Sequence, residues 1–193
     1  LIEHLEALSL GKPHLLQPRL RNHPDLDAVS LGGLCTARII TCRRPDEDPA
    51  LALAVFRMPR GQAVGDNFAC GGIACAIDVN QGELLGSAVG AGPLSERFDC
   101  HPDTRRPIAG IVLPQWAEAV DLCRRAHEQL ASCPAVGWDV AFTPAGAMLI
   151  EGNLPFCMSL AQVPGATPLL ETSYQSAILG FLARSDEFKS LAT

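Results

Sequence analysis

The stretch that most constrains the fold is Gly137 to Asn153, GWDVAFTPAGAMLIEGN. Trp138, Val140 and Phe142 alternate with Gly137, Asp139, Ala141 and Thr143, the period of a half-buried strand. Pro144-Ala145-Gly146 is turn chemistry, after which Met148 and Ile150 alternate with Ala147, Leu149, Glu151 and Asn153. This predicts a β-hairpin with a three-residue loop, in which Thr143 faces Ala147 and Asp139 faces Glu151. A loop one residue different would move Asp139 onto the face of Met148 and Ile150, against the hydrophobic pattern.

Two carboxylates placed this way lie roughly 5 Å apart at Cβ and repel each other. Asn153 leans to the same side and adds a neutral oxygen. Asp139, Glu151 and Asn153 are therefore candidate metal ligands. They form a hard oxygen cluster of the kind Mg²⁺ takes when phosphates complete its shell. The competing account is an exposed hairpin with two solvated acids. The apolar far face and the small residues between the acids favour the metal.

Other candidates are more ambiguous residue by residue. Arg38 lies inside a strand pattern, Thr36 to Ile40, and needs either an acid of the fold or a phosphate for its planar fork. Arg57 ends the next strand pattern and is a phosphate contact or a solvated edge charge. Asn67, ahead of Gly71-Gly72, marks either an anion-binding backbone or a turn. His101, in Cys-His-Pro-Asp-Thr with Asp103, Arg105 and Arg106 nearby, is a candidate substrate contact or proton carrier, or a plain loop histidine. His127 falls on an apolar helix face and reads as a core-edge residue; Trp116 and Trp138 read as core.

In this order the segments resemble the ATP-grasp superfamily, whose C-terminal lobe ends in an Asp strand followed by Glu-x-Asn, here Asp139 and Glu151-Gly152-Asn153. The nearest likeness is to the sugar-transfer-associated branch, related to α-L-glutamate ligases. It carries similar His-Pro-Asp-Thr, Pro-x-Trp and Gly-Trp-Asp-Val segments, here at His101, Pro114 and Gly137. The resemblance implies an α+β lobe and places adenine at a hinge strand, Leu16-Gln17. It gives Arg38, Arg57 and Asn67 to the phosphates and Mg²⁺ (or Mn²⁺) to Asp139, Glu151 and Asn153. It further implies an ATP-dependent ligase in which a carboxylate becomes an acylphosphate and an amine or sugar acceptor attacks it. The branch suggests cell-surface sugar or peptide modification. A non-catalytic nucleotide- or metal-binding module is the alternative.

The chain begins at Leu1 with a helical pattern, Leu1, Leu5 and Leu8, and has Lys12 and Lys189 as its lysines. Residues 1–12 are expected to be the tail of an N-terminal lobe that carries the family's Lys and glycine-rich loop, and residues 13–193 the C-terminal lobe.

Composition narrows the partners. A formal charge of −6 over 193 residues argues against sequence-independent nucleic-acid binding. No apolar run approaches the ~20 residues needed to span a bilayer, and no signal peptide is visible. The eight cysteines are scattered singly without C-x-x-C pairs, as core thiols in a reducing cytoplasm would be.

Strands are predicted at Leu34–Cys42, Leu51–Met58, Ile73–Val79 and Glu83–Val89, with an irregular Gly61–Gly72 segment and a polar loop from Arg97 to Pro107. Helices are predicted from Pro114 to about Cys133 and from Leu169 to about Arg184.

Overall fold

Strands buried on both faces must be covered on both sides, and three such strands form the middle of the sheet. They are β1 (Thr36–Cys42), β2 (Ala50–Met58) and β6 (Ala135–Thr143), and every residue of β1 and β6 is buried. The computed structural model describes residue 2, residues 17–92 and residues 96–185. In it, β3 (Ile73–Ile77), β4 (Leu84–Gly90), β5 (Arg97–Phe98) and β7 (Gly146–Asn153) extend these three into one sheet. The order is β5-β4-β3-β2-β1-β6-β7, and each neighbouring pair is antiparallel. With helices packed on the faces this is the expected α+β architecture.

One face carries Ile39, Phe56, Trp138, Val140 and Phe142, and packs on Trp116, Ala119 and Cys123 of α1 (Trp116–Glu128). The opposite face carries Ile40, Cys42 and Ala135 at one end. These pack on Ala161 of α2 (Met158–Gln162) and Ala177 of α3 (Ser173–Leu182). Further along that face lie the charged residues described below. No helix among the described residues is long and apolar enough to cross a membrane.

Three sequence readings need correction. Pro114 is not the first helical residue: α1 starts at Trp116, because Gln115 takes a left-handed backbone (φ 54°) that turns the chain into the helix. The helix expected from Leu169 to Arg184 is broken at Thr172. A 3₁₀ turn at Leu169–Glu171 ends there, and the Thr172 Oγ1 accepts the Tyr174 N–H (3.2 Å) as N-cap of α3. The hairpin loop is shorter than predicted: Thr143 faces Gly146, and Ala147 faces Phe142. A β-bulge at Ile150 then supplies the extra residue, so that Asp139 still faces Glu151. One consequence is a change of faces. Ala147 and Leu149 pack on the core, whereas Met148 and Ile150 are 40% and 43% exposed.

Behind the sheet, His127 is fully buried with every polar atom engaged. Trp138 Nε1–H donates to the Thr41 hydroxyl (2.8 Å), the hydroxyl lies 2.7 Å from His127 Nδ1, and His127 Nε2 lies 2.9 Å from the Cys133 carbonyl. Neutral imidazole satisfies both contacts, with Nε2–H donating to the Cys133 carbonyl and Nδ1 accepting the Thr41 proton. Burial accordingly lowers the His127 pKa. A folded pKa below the unfolded value gives stability that is complete above about pH 6.5 and is lost as pH falls through the folded pKa. Urea midpoints should therefore drop more steeply between pH 7.5 and 5 in the parent than in His127→Gln. Parallel slopes would refute the assignment.

Candidate functional site

Antiparallel pairing sets a row of charged side chains across the sheet. Glu151 on β7 faces Asp139 on β6, Asp139 faces Arg38 on β1, and Thr36 on β1 faces Arg57 on β2. Directly opposed residues share a face, so all five point to one side. The Asp139 carboxylate is only 5% exposed. Its Oδ1 accepts from Arg38 Nε at 2.5 Å and its Oδ2 from Arg57 Nη2 at 2.8 Å. The repulsion expected between Asp139 and Glu151 is thus relieved from within: two guanidinium groups balance the inner acid. Arg38 has the acid of the fold that its position called for, and keeps further donors.

A second tier fixes Arg57. The Thr36 hydroxyl accepts from Arg57 Nε (3.0 Å) and Nη2, and donates to Asp66 Oδ2 at 2.6 Å. Asp66 also lies 3.5 Å from Arg57 Nη2. Burial pushes the Asp66 carboxyl pKa up, while Arg57 and Thr36 pull it back. Sequence reasoning gave Asp66 no role beyond its place before Asn67 in the family's order of segments.

Two glycines let these groups meet. At Gly137 a Cβ would come within 2.7 Å of the Phe156 Cβ and 3.2 Å of the Arg38 Cδ, so the Arg38 stem lies over bare backbone. At Gly152, between Glu151 and Asn153, a Cβ would sit 2.7 Å from the Trp138 ring.

At the sheet edge Glu151 is exposed, and Asn153 Nδ2 donates to Glu151 Oε1 and to the Gly137 carbonyl, both at 3.3 Å. The Asn153 amide oxygen has no hydrogen-bond partner among the described residues. Among the described residues no group of three or more His, Cys, Asp or Glu side chains could hold a metal alone. Asp139, Glu151 and Asn153 nonetheless fit a hard cation that keeps waters and takes further oxygens from a bound phosphate, as Mg²⁺ does. Glu151 and Asn153 would be its open donors, with Asp139 shared between the cation and the arginines.

Arg38, Arg57 and Asn67 are brought together at the other end of the row, where they line a cavity of about 490 Å³. Its remaining walls include Phe68, Ala69 and, from the segment around α2, Cys157, Ser159, Leu160 and Val163. Cys157 was not singled out from sequence, because five-residue α2 leaves no periodicity to show what it covers. Hydrogen bonding to Ser159, at 3.2 Å from Sγ, with help from Arg38, holds the Cys157 thiol pKa below its ordinary value.

His101 is not brought into this group by the structure. It is fully buried; Nε2 lies 2.9 Å from the Pro59 carbonyl, and Nδ1 accepts the N–H groups of Asp103 and Thr104. These bonds tie it to its own loop and to Pro59. Gln17 is exposed in an irregular segment, while Leu16 and Lys12 lie outside the described residues.

A family model described as sugar-transfer associated ATP-grasp matches residues 6–176, and with it come nucleotide binding and ATP-dependent, ligase-type chemistry. No curated protein matches the chain, and neither does any solved structure. The match spans well over half of the sequence, and the seven-stranded antiparallel sheet accords with an ATP-grasp lobe, so the chain belongs to the sugar-transfer associated ATP-grasp family.

Proposed function

We propose that this chain is the Mg-nucleotide-binding, C-terminal lobe of a ligase that joins a carboxylate to an amine or sugar acceptor through an acylphosphate. The observation that carries this reading is the charge row itself. Oxygen donors stand at one end, Glu151 and Asn153, and buried guanidinium groups at the other, Arg38 and Arg57, with Asp139 between. A magnesium nucleotide has the same alternation: a cation on its phosphate oxygens and unneutralised phosphate charge beside it.

In the proposed reaction a substrate carboxylate oxygen attacks the γ-phosphorus and the bond to ADP breaks. The acceptor nucleophile then attacks the acyl carbon, and phosphate and a proton leave. Mg²⁺ would draw charge from the phosphates as the γ-group transfers. Arg38 and Arg57 would stabilise the charge on the equatorial oxygens from a fixed, desolvated position. Exposed Met148, on the acids' face of the hairpin, offers an apolar shelf for the base. The hinge at Leu16-Gln17 and an N-terminal lobe with its Lys and glycine-rich loop belong to the same proposal, as closure over the nucleotide. Eight free cysteines accord with a reducing, cytoplasmic setting.

Ligand linkage tests the binding half. Mg²⁺ with nucleotide together should stabilise the protein by about 2.7 kcal/mol at a hundredfold excess over Kd, and each alone by much less. Thermal melts that do not respond to the pair would sink the reading. Full engagement of Asp139 by two arginines also suits a binding module without turnover. Carboxylate-dependent ADP release, assayed with the second lobe supplied, separates the two.

A further inference from the structure

The cavity beyond the arginines differs from the acid end of the row in its hydrogen-bonding character. Arg38 is 5% exposed, and only its Nε is spoken for, by Asp139. Its two terminal nitrogens, and Nη1 of Arg57, have no protein partner among the described residues, although both side chains line the cavity. Asn67 gives its carbonyl oxygen to the Ala69 N–H at 3.1 Å, and its amide nitrogen has no protein partner among the described residues. Ser159 and Cys157 are engaged with each other. The polar end therefore presents mainly side-chain donors, the free guanidinium nitrogens of Arg38 and Arg57. The other lining residues, Phe68, Ala69, Ala91, Gly92, Leu160 and Val163, carry no polar side chain.

Donors alone recognise an anion. A sugar needs acceptors for its hydroxyl protons, and apolar walls would leave those hydroxyls unpaired. A polyphosphate would have to place charge against Phe68 and Leu160. We infer that this cavity binds a single-headed carboxylate with an aliphatic body, its head on the cavity-side nitrogens of Arg38 and Arg57 and its chain against Phe68, Leu160 and Val163. The head then sits next to where the same guanidinium groups would meet the γ-phosphoryl group in the proposed reaction. That this ligand is the carboxylate activated by the enzyme rests on the ligase reading; the binding itself does not. The volume, about 490 Å³, is within the usual range for a small-molecule site.

Cys157 on the cavity wall provides the readout. Iodoacetate and iodoacetamide alkylate a thiolate in the same way, by displacement of iodide at a near-isosteric CH2 group, but only the first carries the carboxylate head. The ratio of their rates, mapped by mass spectrometry, should be about tenfold higher at Cys157 than at exposed Cys70 and Cys100. Straight-chain carboxylates from acetate to decanoate should protect Cys157, each methylene tightening protection by up to about fourfold until the cavity is full. Hexanoate should protect at least about tenfold better than glucuronate or inorganic phosphate. Val163→Asp, a change at a partly exposed wall position, should abolish that protection by setting a carboxylate against the chain.

Protection independent of chain length, or glucuronate or phosphate protecting as well as hexanoate, overturns the inference. So does Val163→Asp protein that hexanoate still protects, or a Cys157 that neither reagent reaches. The Mg-nucleotide melt of the parent, run in parallel, shows separately whether the ligase reading has failed.

Discussion

Asp139→Asn should melt about 10 °C below the parent. The substitution keeps the shape of the side chain and removes its charge, so Arg38 stays buried with no acid partner among the described residues, and Arg57 keeps only Asp66, 3.5 Å away. Removing one partner of a buried ion pair typically costs about 3–5 kcal/mol, because the charge left behind is neither solvated nor balanced. At roughly 2–4 °C per kcal/mol for a domain of this size, the shift is easily measured. Thermal and urea denaturation in metal-free buffer both test it. An unchanged or raised melting temperature would mean that repulsion from Glu151, and not attraction to the arginines, dominates at Asp139.

Glu151→Gln should behave in the opposite way: near-parental stability without ligand, and loss of most of the response to magnesium nucleotide. Glu151 is exposed and has only a 3.3 Å contact from Asn153, so its removal leaves no buried group stranded. As a proposed ligand, however, it supplies charge that a neutral amide cannot. Even outer-shell changes weaken metal sites by about 10–100-fold, so a direct ligand should cost on the order of 100-fold or more. Titrating Mg²⁺ at fixed nucleotide, with thermal shift as the signal, measures this. Parental Mg²⁺ dependence would remove Glu151 from the site and leave Asn153 with no acidic companion at the sheet edge.

The two variants together show what could be read before any coordinates. Asp139 and Glu151 were correctly placed opposite one another, yet by an argument in which a loop one residue too long stood in for a bulge. Strands β1, β2 and β6 were legible because burial on both faces leaves long apolar runs. The Arg38–Asp139 bridge was not. It joins residues 101 apart through the β1–β6 register, and nothing local to either strand encodes that pairing. The role of Asp66 was missed for a similar reason, since its partner Thr36 lies on another strand and that role exists only in three dimensions. The break at Thr172 did leave a local sign, a threonine able to cap the Tyr174 amide, which the apolar pattern around it outweighed.

The bulge at Ile150 has a bearing on how relatives of this hairpin should be aligned. Which side a strand residue faces is a matter of odd and even counting from the turn, and one unpaired residue reverses the count. Here the tip and the acid-bearing end of β7 obey opposite parities, with Ile150 as the point where one becomes the other. Turn length and acid register are thereby uncoupled. A homologous hairpin with one residue more at its tip and none bulged would present the same carboxylates to the same side, so matching such chains by loop length would misplace the very residues that define the site.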